Sequence, residues 1–435
     1  MKVLVVDQDK VGLPISMAAK KAGHQVRLWQ PPPSIIGKGM VDKVDAWKPS
    51  MGWADLILTT DNSKLINELE PYFKGGYPIF GCNKEAGAWE LDRQVGQDIL
   101  TECDIETLPC ETFTNYDAAI AYVLKTNETY VCKPWGGNPD KSLSYVSRSP
   151  ADMVFKLQRW KKDGKLKGKF MLQKAVEGGV EMAVGGWFGP KGWLPVVNEN
   201  WEEKRLMNDG LGPNTGEMGT VMRYVRKSKL FSEVLEPVTE KLLETGYVGY
   251  VDMNCIIDSK GMPWPLEFTM RFGWPHFNLC MTLHDGDPVE WMLDLLHGKN
   301  SLEWKKDICT GVVMAHGDFP WDNLPPETAI GFPLEGIKNK DLANLRMTSV
   351  MMDKAPVMVR GKVKEMETMV TAGTYVLVNT GLGATVSASR DAVYEVVKEI
   401  KWPHDRIYRT DIGARLEKML PELQKHDYAM GMKYD

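Results

Sequence analysis

Short apolar runs set between glycine-bounded helical stretches dominate the first hundred residues. Residues 2–30 read as strand, helix, strand: KVLVVD, a helix over about 13–22 closed by Gly23, then HQVRLW. ADLILTT at 54–60 is the kind of run that a parallel sheet buries, and it belongs to a second such unit over 53–69. The pattern predicts a small open α/β domain. From 79 to 145 it changes to short strand, long helix, short strand, with 85–100 helical and YVCK at 130–133 extended. Two β-rich runs broken at Gly178 and Gly179 follow, then a helix at about 228–244 and two apolar strands, 249–257 and 264–270, around the turn DSKG. Beyond 311 the chain is again β-rich before helices at 391–400 and 412–426, and no fixed-period repeat is visible.

The polar residues that interrupt this pattern carry the candidate chemistry. Asp252 in VGYVDMNCII and Glu267 in PLEFTMRF each place a charge inside an apolar strand. Buried acids are paired or metal-bound, so two neighbouring strands presenting one each point to a shared divalent cation, magnesium in particular, or to salt bridges with Arg271 or Arg205. Lys133 and Lys141 flank PWGGNPD. A hairpin with Gly136 and Gly137 at its turn can lay backbone N–H groups over phosphates while both ammonium groups neutralise them, although two solvated lysines would look the same. QKAV at 173–176 leads across a glycine turn to Glu181, which suits adenine recognition by edge backbone groups and ribose recognition by a carboxylate; an edge hairpin with an exposed Glu is the plain alternative. The stretch 202–219, EEKRLMNDGLGPNTGEMG, falls between predicted elements. Its Lys204 and Arg205 suit a phosphate or carboxylate, and its glycines let backbone approach a small substrate closely. His276 reads equally as a packed residue or a base.

Bulk composition narrows the classes. A chain of 435 residues, 43% hydrophobic and 26% charged, is an ordinary soluble multi-domain protein. Its formal charge of -5 disfavours a nucleic-acid binder, so no nucleic-acid partner is expected. The seven cysteines are scattered singly and read as buried free thiols of a reducing compartment. The start MKVLVVD shows neither a signal peptide nor a membrane span, which makes the cytoplasm the expected location. The turn after the first strand, DQDKVGLP, lacks GxGxxG and carries acids where a pyrophosphate would sit, against a dinucleotide fold.

FGCNKEAGAWELDRQVGQDIL at 80–100, ETFTNYDAAIAYV at 111–123, the spacing of Lys133 and Lys141, the KR…DGLGPNTGxMG loop, EFxxRFG at 267–273 and YRTDIGARL at 408–416 occur in one order. In order and spacing they resemble the phosphoribosylamine–glycine ligase family of ATP-grasp enzymes, over most of the chain. The resemblance implies an α/β (α+β overall) ATP-grasp fold with an N-terminal open parallel α/β domain over 1–101. It implies an ATP-grasp domain over 102–305, with a mobile nucleotide-clamping lobe at about 115–185, and a β-rich C-terminal domain over 306–435. The implied reaction joins a small carboxylate, glycine or another amino acid, to an amine through an acyl phosphate, using ATP and Mg2+, with Mn2+ as a substitute, in a monomer or homodimer. Arg93, Lys133, Lys141, Gln173, Lys174, Val176 and Glu181 would bind the nucleotide. Asp252, Glu267 and Thr269 would hold the metal, and Lys204, Asn214, Thr215, Gly216 and Glu217 the substrates, with Arg271, Lys141 and Arg205 acting on the reacting groups.

The sequence also departs from the family. DQDKVGLP stands where the family has a glycine-rich turn with an Arg-Glu-His sequence that helps recognise the sugar phosphate. Thr269 replaces an Asn, Trp274 and His276 replace two acids, Glu217 replaces a glycine and Arg93 a lysine. These changes point to an altered amine acceptor. A non-catalytic nucleotide-binding or assembly protein derived from such a ligase is the alternative.

Overall fold

The structure, a computed structural model, describes residues 1–135, 143–165, 168–176, 178–321, 323–403 and 405–435. Lys141 lies outside the described residues. Five parallel strands, β1 (Lys2–Val6), β2 (Gln25–Trp29), β3 (Asp42–Val44), β4 (Leu56–Thr59) and β5 (Ile79–Phe80), form the first sheet in the order β3-β2-β1-β4-β5. Val3, Leu4, Val5, Leu56, Ile57 and Leu58 are wholly buried, as the uninterrupted apolar runs require of a sheet covered on both faces. The turn between β1 and α1 (Leu13–Lys21) closes on Asp7. That carboxylate accepts from Val11 N and Thr60 Oγ1 at 2.9 Å each and from Gln30 Nε2 at 2.8 Å, so it is turned inward and engages the turn's own donors.

Helix α2 (Ile66–Lys74) precedes β5, and the predicted single helix at 85–100 is two: α3 (Lys84–Leu91) and α4 (Arg93–Glu102). Asp92 breaks them apart because it adopts an extended conformation and caps α4, accepting from Gln94 N. A four-stranded lobe follows, β6 (Cys110–Phe113), β7 (Tyr130–Pro134), β8 (Tyr145–Val146) and β9 (Phe170–Lys174) in the order β6-β9-β7-β8. Its helices α5 (Tyr116–Thr126) and α6 (Pro150–Asp163) are capped by Asn115 and Ser149.

The large sheet begins with β10 (Val180–Gly189), β11 (Gly192–Met207), β12 (Leu211–Val225), β13 (Gly249–Ile257) and β14 (Pro263–Thr269). Its order, β14-β13-β10-β11-β12, continues into Ile308–His316, Tyr375–Gly383 and Leu345–Met347, so one sheet runs across position 306. The polar stretch 202–219, expected between elements, is the end of β11, a turn at Asn208–Gly210 and the start of β12. The predicted helix at 228–244 is divided into α7 (Lys229–Val234), a single 3-10 turn with Pro237, and α8 (Thr239–Glu244). After β14 the chain turns into α9 (His276–Leu283).

Candidate functional site

Strand register gathers the interrupting polar residues onto one face. Asp252 lies opposite Thr269 and Asn254 opposite Glu267 across β13 and β14, and side chains two apart on a strand point the same way. On the other side of β13, Gly185 and Ala183 lie opposite Asp252 and Asn254, and Glu181 opposite Ile256. Asn198 and Asn200 of β11 lie opposite Gly185 and Ala183. Glu181, Asn198, Asn200, Asp252, Asn254, Glu267 and Thr269 therefore share a face. Val184, Val197, Val251, Met253 and Phe268, which alternate with them, pack on the opposite face in a core with Leu230, Val234 and Leu242 of α7 and α8.

Glu267 acts electrostatically on four cations. Burial lowers Arg93, at the first position of α4, and Glu267 works against that. Burial also holds Lys133 down to about 8, with Arg93 and Lys204 adding to the effect and Glu267 opposing it; its Nζ donates to Gln173 Oε1 at 2.8 Å. Lys204 is raised by Glu202, whose carboxylate is 3.1 Å away, and further by Glu267 and Glu181. Arg271 is raised by Glu90 at 3.2 Å, and also by Asp9 and Glu267. A nucleotide affinity that depends on the Lys133 ammonium is full below about pH 8 and weakens above it, because the neutral amine then predominates. Calorimetric ADP titrations at pH 7 to 9.5 are expected to show a loss approaching tenfold per pH unit above about 8, flattened in Lys133→Arg.

Asp252 anchors a buried polar network. Its Oδ2 accepts from Asn200 Nδ2 at 2.9 Å and Tyr250 OH at 2.8 Å, and Tyr250 also meets Asn198 and His276 Nε2. Burial pushes Asp252 up to about 7, with Glu202 adding to it, and burial holds His276 down to about 4 as a neutral ring. Gly185 leaves room for this network: a Cβ there would run into Tyr250 OH and Asp252 Oδ2. Gly185→Ala is expected to cost about 2 kcal/mol in urea denaturation and to lower turnover with it.

The β11–β12 hairpin is braced from within and from the C-terminal segment. Arg205 donates to Gly212 O at 2.9 Å and lies opposite Asn214, and Thr215 Oγ1 donates to Lys204 O at 2.8 Å. Asn214 and Gly216 are exposed, whereas Glu217 is buried. Arg409 and Arg415 both pair with Glu203, at 3.2 and 2.7 Å. The side chain of Lys174 pairs with Glu128 at 2.6 Å on an exposed surface, while Gln173 is buried and Val176 partly so. Two site residues escaped the sequence reading. The signal that could have found Asn254 is its place two positions beyond Asp252 in a strand. Glu90, which takes Arg271 and also accepts from Asn62 Nδ2 and Met270 N at 2.7 Å each, gave no local signal.

Two models of one family match the chain: "Phosphoribosylglycinamide synthetase, ATP-grasp (A) domain" over residues 92–277 and the C domain over 309–415. Phosphoribosylamine–glycine ligase of Escherichia coli O157:H7 is 25% identical over 374 residues, 83% of each chain, and that of Haemophilus influenzae 25% over 373 residues. The crystal structure of the Thermotoga maritima phosphoribosylamine–glycine ligase superposes with a TM-score of 0.70 at 19% identity, covering 95% of this chain and 100% of that one. The N5-carboxyaminoimidazole ribonucleotide synthetase of the same organism gives 0.58 at 15% identity, covering 93% and 99%. With the A and C domains of that family matched in order along an ATP-grasp fold, this chain belongs to the phosphoribosylglycinamide synthetase family.

Proposed function

We propose that this chain is an ATP-dependent carboxylate–amine ligase that forms an amide through an acyl phosphate, with glycine or another amino acid as the carboxylate and an amine other than that of its relatives as acceptor. The observation that carries the reading is the convergence of Arg93, Lys133, Lys204 and Arg271 on Glu267, at the edge of a polar sheet face inside an ATP-grasp fold. In the reaction the carboxylate attacks the γ-phosphorus and ADP leaves; the amine then attacks the acyl carbon and phosphate leaves. Each step moves anionic charge, and fixed cations in a partly desolvated cleft stabilise that charge without reorganising. Lys133 and Arg93 would hold ATP phosphates, together with Lys141. Glu181 would take the ribose, and the backbone of 173–176 the adenine. Lys204 and Arg271 would face the transferring phosphoryl group and the acyl phosphate.

The oxygen donors Glu267, Thr269 and Asn254 on one face suit a hard divalent cation, and Asp252 stands beside them. These residues would hold magnesium or manganese, which when bound would supply positive charge to offset that of the phosphates. Among the described residues no helix is long and apolar enough to cross a membrane. The reading is tested by ADP calorimetry with magnesium and by ADP release across a matrix of amino acids and amines, phosphoribosylamine included. ADP binding with turnover of at least one pair is expected, and efficient turnover of phosphoribosylamine with glycine would overturn the altered acceptor. Binding without turnover of any pair would leave a non-catalytic nucleotide-binding protein.

A further inference from the structure

Four carboxylates crowd the inner end of the β11–β12 hairpin, and three of them have partners. Glu202 pairs with Lys204 at 3.1 Å, Glu203 with Arg415 and Arg409, and Asp252 accepts from Asn200 and Tyr250. Glu217 differs. It is 5% exposed, and its Oε1 is shut off from solvent with no hydrogen-bond partner among the described residues.

Buried polar atoms without partners mark a place that something else fills, and the chemistry of the atoms says what. A carboxylate oxygen only accepts, so the group that reaches Glu217 must bring a hydrogen-bond donor. Glu202 and Asp252 add negative charge around Glu217 and Lys204 opposes it, so a positively charged donor suits the position. Burial holds the Glu217 carboxyl well above the usual range, with Glu202 and Asp252 adding to the effect and Lys204 opposing it. A bound cation would reverse that and ionise the acid, gaining a charge-assisted hydrogen bond in a desolvated setting.

We propose that Glu217 is a specificity-determining residue that binds a non-reacting cationic nitrogen, an ammonium or guanidinium group, of one of the two substrates. The proposal rests on the ligase reading. The cation belongs either to an amino-acid donor, whose carboxylate reacts while its ammonium is held, or to a diamine acceptor, of which one nitrogen attacks and the other is held.

The test compares initial rates of ADP release by the wild type and Glu217→Gln with paired substrates: glycine beside acetate as donor, and 1,2-diaminoethane beside ethylamine as acceptor, with phosphoribosylamine as a further acceptor. The wild type is expected to prefer the aminated member of one pair by about 10- to 100-fold in kcat/KM, chiefly through KM, and Glu217→Gln to lose that preference. The pair that shows it identifies the substrate. Equal preference in both proteins, no preference in the wild type, or a change confined to the magnesium dependence overturns the proposal. ADP calorimetry on both proteins reports separately on the nucleotide site. Failure of ADP to bind, or absence of turnover with every pair, strikes the ligase reading and this inference with it.

Discussion

Glu267→Gln is expected to lower kcat/KM for ADP release by about a thousandfold while ADP binding in the absence of magnesium is retained or tightened. The carboxylate is the shared counter-charge of Arg93, Lys133, Lys204 and Arg271, and it lies opposite Asn254 on the face that suits a divalent cation. Glutamine keeps the shape and one oxygen donor but removes the charge. Lys204 and Arg271 keep Glu202 and Glu90, but Arg93 and Lys133 lose Glu267; on the proposed reading this disturbs the alignment of the cations on the transferring phosphoryl group, and a hard cation loses its one glutamate from this strand. A bare nucleotide gains, because its phosphates no longer face a carboxylate. The split between lost turnover and retained magnesium-free binding separates this outcome from simple unfolding. Equal loss of both would place Glu267 in the framework rather than in the chemistry.

The parts of the site legible in the sequence were those in which the local pattern itself is violated. Asp252 and Glu267 stood out as charges inside apolar strands, and period-two alternation carries the reading further to Asn254 and Thr269 on the same face. Lys133 was legible for a similar reason, at the end of an apolar run, and it reaches Gln173 across the lobe sheet. What escaped depends on residues far apart in the chain. The glycine-rich stretch at 202–219 resembles a loop, but as a hairpin it is held by contacts some two hundred positions away, including Asn208 to Thr410 at 2.7 Å and Asp209 N to Asp411 at 2.8 Å. Glu90 is one more acid on a helix until Arg271 is folded against it. The acidic turn after the first strand was legible as unsuited to phosphate. Only the fold shows the reason at Asp7, whose carboxylate takes the donors of Val11, Thr60 and Gln30 for itself.

The same long-range bracing gives the second large effect: Arg409→Met is expected to destabilise the protein by about 3 kcal/mol in chemical denaturation and to slow turnover. The Arg409 side chain is 2% exposed and makes a two-pronged contact with Asp411 at 2.8 Å on each arm, reaches Glu203 at 3.2 Å and donates to Arg205 O at 3.2 Å. Methionine fills the volume but leaves Glu203, 6% exposed, with Arg415 alone. Burial already raises the Glu203 carboxyl, opposed by Arg415 and Arg409, so losing one of those cations raises it further. A carboxyl whose folded value lies above its unfolded one destabilises once it must ionise, so the deficit of Arg409→Met grows as pH rises through that value and shrinks as pH falls. Denaturation at pH 5 and pH 8 reads this directly. Arg409→Met with Glu203→Gln removes the buried charge, and the double variant is expected to recover about half the loss and most of its pH dependence. Turnover follows because Arg415 also holds Glu202 O at 2.5 Å, and Glu202 is the partner of Lys204. Loosening this brace moves the Lys204 ammonium from the cluster around Glu267, so kcat is expected to fall in Arg409→Met; if Lys133 and Arg93, on other elements, hold the nucleotide as proposed, the KM for ATP stays within about twofold. A KM that rose with an unchanged kcat would place the brace at the nucleotide instead.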